Sequence, residues 1–145
     1  MNKKGFTLIE LLVVIAIIGI LSTLSVIALN NARQKSRDAR RVADVKQVQT
    51  ALELYFNDES RYPDPTDVTF DGASSIVGPT SSTTYMAVVP QAPQPYGDGP
   101  CSGGDNYEYT QATTDTYEIR YCLGAETGGI ASDDHYATPA GIADP

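Results

Sequence analysis

A single carboxylate, Glu10, stands inside an otherwise apolar run from Phe6 to Asn30, FTLIELLVVIAIIGILSTLSVIALN, which holds no other charged side chain. About 20 apolar residues cross a bilayer as a helix, so this run is long enough to span one. An ionised carboxylate in hydrocarbon costs about 3 kcal/mol or more, and a lone acid there calls for a specific partner. The residues themselves suggest an amine. A cut after Gly5 would leave Phe6 with a free amino group, charged at neutral pH because its pKa is near ~8. Glu10 would lie about 6 Å along a helix from Phe6 at ~1.5 Å per residue. The amine of a second, axially staggered copy is then better placed than the chain's own, and such pairing selects a stagger.

The segment Lys3-Lys4-Gly5-Phe6-Thr7-Leu8-Ile9-Glu10, followed by the apolar run with Gly19, resembles the N-terminus of type IV pilins and type II secretion pseudopilins. Leu54-Tyr55 through Arg61-Tyr62-Pro63 resembles the place where a helix ends in those proteins. The resemblance implies cleavage between Gly5 and Phe6 by a prepilin peptidase, methylation of the Phe6 amine, and assembly of a helical filament through Phe6 and Glu10. Methylation keeps the amine charged. The apolar run follows the cut and is retained, unlike the apolar region of an ordinary secretory signal. Many relatives carry a proline where this chain has Ile27; without it, a continuous helix is expected. The resemblance places the N-terminus inside, although Arg33, Lys35, Arg37, Arg40 and Arg41 on the far flank outnumber Lys3 and Lys4 and a count of positive charges favours the reverse.

Charge divides the chain. Residues 1–56 carry eight basic and four acidic side chains, net +4, and residues 57–145 carry two and fourteen, net −12. An acidic module of this kind repels nucleic acid, so no direct nucleic-acid binding is expected. At roughly 85 residues it can bury one modest core. The expected organisation is a leader (1–5), a membrane-spanning and filament-core helix (6–30), an amphipathic helical extension (31–60) and an acidic globular domain (61–145). The fold class is α+β, pilin-like: a long N-terminal helix whose second half packs on a small antiparallel sheet.

Residues 31–59 lack Gly and Pro and favour helix. Val45, Val48, Leu52 and Tyr55 recur at three- and four-residue spacing and form one stripe, with Arg41, Lys46, Gln47 and Glu53 facing elsewhere. The basic cluster from Arg33 to Lys46, interrupted by Asp38 and Asp44, is read as a solvated face complementary to the acidic module of a neighbouring subunit. Pro63 and Pro65 end the helix. Thr84 to Val89 is a short apolar element, and Pro90 to Pro100, with four of the nine prolines, is expected to be an ordered surface loop. Residues 106–111 and 116–123 alternate aromatic and polar side chains and predict a hairpin joined through Ala112 to Asp115. One face, with Tyr107, Tyr109, Tyr117, Ile119 and Tyr121, would cover the helix stripe; Glu118 and Arg120 would face solvent.

A module displayed outside the cytoplasm lies in an oxidising compartment, where Cys101 and Cys122 are expected to form a disulfide. No C-x-x-C pair is present and His135 is the one histidine, so a zinc site is not expected; His135 is read as an exposed loop residue. The stretch from Leu123 to Asp134 is similar to a loop of major secretion pseudopilins that holds calcium. Glu126, Asp133 and Asp134 are the candidate ligands by that likeness, Ca²⁺ taking six to eight hard oxygens; no cofactor is otherwise required, and an acidic Gly-rich surface loop is the alternative.

Neither a nucleophile elbow nor a phosphate loop is present, and the chain is not expected to be an enzyme. The reading is a structural subunit of a type IV pilus serving adhesion, motility or DNA uptake, stored as a single-pass precursor in the cytoplasmic membrane and then displayed on the cell surface. Its implied partners are further copies of itself, minor pilins, the prepilin peptidase, an assembly ATPase and a membrane platform protein. The cysteine pair favours the pilus; the Glu126 loop favours the alternative, a major pseudopilin of type II secretion. A monomeric membrane-tethered binding module is the rival of another class, and it would tolerate loss of the Glu10 carboxylate.

Overall fold

Leu8–Glu59 forms one α-helix, α1, in the computed structural model, which describes residues 5–94, 101 and 106–143. Lys3 and Lys4 of the leader and residues 95–100 of the proline-rich segment lie outside the described residues. Two compact units are present, Met1–Arg33 and Gln34–Pro145.

In the first unit the helix is unbroken through Ile27, as the absence of proline predicts. Its polar interruptions are satisfied internally: the Thr23 hydroxyl donates to the Ile20 carbonyl and the Ser25 hydroxyl to the Leu21 carbonyl, both at 2.8 Å. Bonds of this kind let a hydroxyl sit in an apolar helix without seeking water. Leu8, Ile15, Ile20 and Ile27 are all exposed, with the rest of the run. A helix that is apolar all round and bare of protein fits a lipid or helix-packed setting.

In the second unit, α1 lays Val45, Val48, Leu52 and Tyr55 into the core, each at most 1% exposed. The helix ends with Ser60 in the left-handed region (φ 53°), its N–H bonded to the Phe56 carbonyl at 2.8 Å. Ser60 takes the position glycine commonly fills after a helix. Tyr62 and Pro63 follow, and a 3-10 turn at Pro65–Asp67 is capped by Asp64.

Among the described residues, two antiparallel sheets complete the unit. A small one pairs β1 (Ile76–Val77) with β2 (Thr84–Met86). The other has four strands in the order β3 (Glu108–Thr113), β4 (Thr116–Leu123), β5 (Asp133–Thr138) and β6 (Gly141–Ala143). The expected hairpin is β3 and β4, with its turn tightened to Thr114 and Asp115 and Tyr109 opposite Ile119. Tyr109, Tyr117, Ile119, Tyr121 and Leu123 join the α1 stripe in one core, while Glu108 and Glu118 are exposed. Successive side chains of a strand point to opposite faces, which is why alternation in the sequence becomes a wet side and a dry side here. Tyr62 meets Tyr117 edge-on at 4.6 Å and Tyr109 stacks on Tyr117 at 6.0 Å, distances at which aromatic pairs attract beyond their buried area.

Three expectations are corrected. The stretch after Leu123 carries β5 and β6, which periodicity missed because the inward positions of β5 are His135 and Ala137, neither strongly apolar. His135 is 1% exposed, its Nε2 at 2.9 Å from the Ala131 carbonyl oxygen and its ring 5.6 Å from that of Tyr121; it is a core residue. Asp38, Arg41 and Asp44, expected on a solvated face, are buried, because loops of the module cover the α1 turn that bears them.

Candidate assembly site

The functional residues read from the sequence fall in two places, and each is built by different local physics. At the start of α1, Thr7 precedes the first helical residue and Glu10 is three positions on. The Thr7 N–H and hydroxyl donate to Glu10 Oε2 at 2.8 and 2.6 Å, and the Glu10 N–H donates to Thr7 Oγ1 at 3.3 Å. This is a capping box: each side chain satisfies the other's backbone N–H where the helix has no earlier carbonyl to offer. The sequence reading assigned Glu10 only an amine partner and missed Thr7. The signal was present, since Thr-x-x-Glu ahead of an apolar run marks a helix start. An acid in the first turn also complements the helix dipole.

Gly5 and Phe6 are exposed, Phe6 at 86%, so the bond between them is accessible. Phe6, Ile9, Val13 and Val14 line a shallow apolar depression beside Glu10. Both Thr7 donors use Oε2 of Glu10. The site therefore sets one carboxylate in a greasy surface at the very beginning of a helix that is apolar on every side.

In the globular unit, Cys101 and Cys122 are joined by a disulfide, with Cα atoms 6.0 Å apart. Cys122 lies in β4, and the bridge ties that strand to the segment before β3. Asp134, opposite Cys122 in β5, accepts from Arg120 Nη1 at 3.2 Å, and Arg120 Nε donates to Glu108 at 3.3 Å.

The three candidate calcium ligands are not brought together. Among the described residues, the one group of three His, Cys, Asp or Glu donors lying within 4.8 Å of one another is Cys101, Cys122 and Asp134, and both sulfurs are spent in the disulfide. Glu126 and Asp133 are exposed. Hard-cation coordination needs converging oxygens, and these side chains do not supply them.

The loop after β4 converges on a different group. Asp38 of α1, fully buried, accepts the backbone N–H of Gly124 at 3.1 Å and of Ala125 at 3.0 Å. Arg41, also fully buried, donates to Asp38 Oδ1 from Nη1 at 2.7 Å and to the Pro93 carbonyl from Nη2 at 3.3 Å. One turn on, Asp44 accepts from the Tyr107 hydroxyl at 3.0 Å and lies 3.7 Å from Arg40. Burial pushes the Asp44 carboxyl up, against the opposing pull of the Tyr107 bond and the Arg40 charge. Burial and the neighbouring Asp44 carboxylate drive the Tyr107 hydroxyl well above the usual tyrosine range.

The model of the prokaryotic N-terminal methylation motif matches residues 1–26. Core protein G of the type II secretion system of Aeromonas hydrophila is 36% identical over 101 residues, covering 63% of this chain and 68% of that protein. Its namesake in Klebsiella pneumoniae is 34% identical over 90 residues, 62% of this chain and 61% of that one. The type IV major pilin protein PilA of Myxococcus xanthus is 36% identical over 63 residues, 43% of this chain and 29% of that one. Most such matches span less than two thirds of the relative's length, 40% for the core protein G of Pectobacterium carotovorum. No solved structure matches at a significant level.

Proposed function

The chain belongs to the type IV pilin and type II secretion pseudopilin family, and on that premise we propose that it is a structural subunit of a helical filament, drawn from a precursor stored in the membrane. The observation that carries this reading is the apolar helix with every large side chain exposed and one capped carboxylate at its head. Such a surface must be covered, and lipid before assembly and neighbouring helices after it are the two covers available to it.

In this reading the peptidase cuts between Gly5 and Phe6, the Phe6 amine is methylated, and Glu10 receives the amine of an adjoining subunit. Thr7 holds Glu10 Oε2, so Oε1 is the oxygen offered to that amine. Carboxylate and ammonium neutralise each other in an apolar core where neither could stay alone. An assembly ATPase and membrane platform protein supply the work, and minor subunits join the filament.

The secretion pseudopilus is the filament we favour, because the match to core protein G runs over 101 residues and therefore into the module, whereas the match to PilA covers 63. The disulfide between Cys101 and Cys122 supports a second reading, a surface pilus exposed to the medium.

Shearing cells that carry the native gene, imaging the supernatant by electron microscopy and weighing the subunit's N-terminus by mass spectrometry tests the proposal. Chains beginning at methylated Phe6 are expected from wild type, in filaments cross-linked within the cell envelope if the subunit builds the pseudopilus and in the sheared supernatant if it builds the surface pilus. Glu10→Gln should abolish either filament while the chain remains in the membrane. An uncut Met1 in the mature protein, or filaments unimpaired by Glu10→Gln, would overturn the proposed mechanism.

A further inference from the structure

The loop that leaves β4 is built around an anion. Consecutive N–H groups, those of Gly124 and Ala125, point at the two oxygens of the Asp38 carboxylate, 3.1 and 3.0 Å away. Paired N–H groups of this sort make a concave site for negative charge. A cation gathers the opposite partners, carbonyl and carboxylate oxygens. Here the adjacent positive charge is already supplied by the chain: Arg41 Nη1 lies 2.7 Å from Asp38, and the same guanidinium reaches the Pro93 carbonyl at 3.3 Å. A metal ion beside this pair would be repelled by Arg41, which is fully buried and cannot swing into water. Of the acids that a metal could have used, Asp134 is engaged by Arg120, and Glu126, Asp133 and Asp134 do not all bring their oxygens within 4.8 Å of one another.

We propose that the buried Asp38–Arg41 pair is the latch that closes the segment from Gly124 to Asp133 and docks it, with the Pro93 loop, on helix α1, so that this subunit orders its module without a divalent cation. The latch is internal to the globular unit and does not depend on which filament the subunit builds. Asp38 is the first residue along α1 to be buried. The helix therefore enters the module through a charged turn rather than an apolar one. A buried ion pair stripped of one member leaves the other charge without compensation, the costly case.

The test uses the full chain in detergent micelles. For wild type, the thermal midpoint followed by near-ultraviolet circular dichroism should be the same in excess chelator and in millimolar calcium chloride. The amides of Gly124 and Ala125 should exchange slowly with deuterium. Asp38→Asn, which keeps the shape but removes the charge, should lower the midpoint by about 5 °C or more and speed exchange at both amides by at least about tenfold. Glu126→Gln combined with Asp133→Asn should change neither quantity. A calcium-dependent rise in the wild-type midpoint that the Glu126 and Asp133 double variant abolishes would overturn the proposal. So would fast exchange of Gly124 and Ala125 in wild type, or an Asp38→Asn variant with both properties intact. If Asp38→Asn does not fold, the wild-type calcium response and exchange rates decide alone.

Discussion

Buried charge distinguishes the second half of α1 from an ordinary amphipathic helix. Asp38, Arg41 and Asp44 are all buried, and each is matched by a hydrogen-bonding group from another part of the module. Matching is obligatory, since an ionised group taken from water without a partner costs several kcal/mol. Tyr107 and Asp44 give a direct measurement of this. Replacing Tyr107 with Phe keeps the ring, and its edge-on contact with Phe70 at 5.2 Å, but removes the donor that Asp44 uses. Chemical denaturation at neutral pH should show a loss of about 2 kcal/mol, the cost of a hydrogen bond to a charged group. The loss should shrink in acid, where Asp44 is protonated and needs that donor less. An equal loss at both pH values would mean that packing and not charge sets the role of Tyr107.

Among the elements, α1 was the most legible and β5 the least. Val45, Val48, Leu52 and Tyr55 repeat with the helical period and all reach the core, while the aromatic alternation of β3 and β4 located their hairpin. β5 reads DDHYAT and shows no such alternation, because its partner strand supplies the bulk: Tyr121 lies opposite His135 and Ile119 opposite Ala137. The disulfide adds a constraint that strand pairing lacks, joining positions 21 residues apart. Cys101→Ser together with Cys122→Ala should lower stability by roughly 3 kcal/mol in the loop-entropy account. The check is a urea titration with and without reductant on wild type. Reductant should move the wild-type midpoint toward that of the double variant and leave the variant unchanged. A wild-type midpoint insensitive to reductant, despite full thiol exposure by chemical labelling, would refute the estimate.

At the scale of the whole molecule, acid is the condition that should reveal how the module is held. Hydrogen bonds to Ser74 and Ala73 hold the Asp71 carboxyl at about 2, below its ordinary 3.8. The Ser81 N–H lowers Glu59 and the Thr66 N–H lowers Asp64. Each has a folded pKa below its unfolded one, so the native chain binds fewer protons. Their stabilisation is present above the ordinary carboxylate range and is lost as pH falls through the folded values. Asp44, raised by burial, acts in the opposite sense. The thermal midpoint should therefore fall as pH drops from about 4.5 toward about 2, and Asp71→Asn should flatten the lower end of that curve. An unchanged slope in the variant would remove Asp71 from the account.

Features that arise from local order along one chain are legible without the fold. These are an apolar run with a single carboxylate at its head, a helix whose stripe repeats every three or four residues, and a hairpin of alternating tyrosines. They could be read because each is a periodicity, and periodicity follows from backbone geometry alone. Thr7 was equally local and could have been read from its spacing to Glu10. The tertiary structure alone decided the fate of Asp38, Arg41, Asp44 and His135. A charged or titratable residue on a helix or strand is buried or solvated according to what lands on it. For the three helix residues the covering groups, Pro93, Tyr107 and the amides of Gly124 and Ala125, lie 52 to 87 residues away in the chain, beyond the reach of any local pattern.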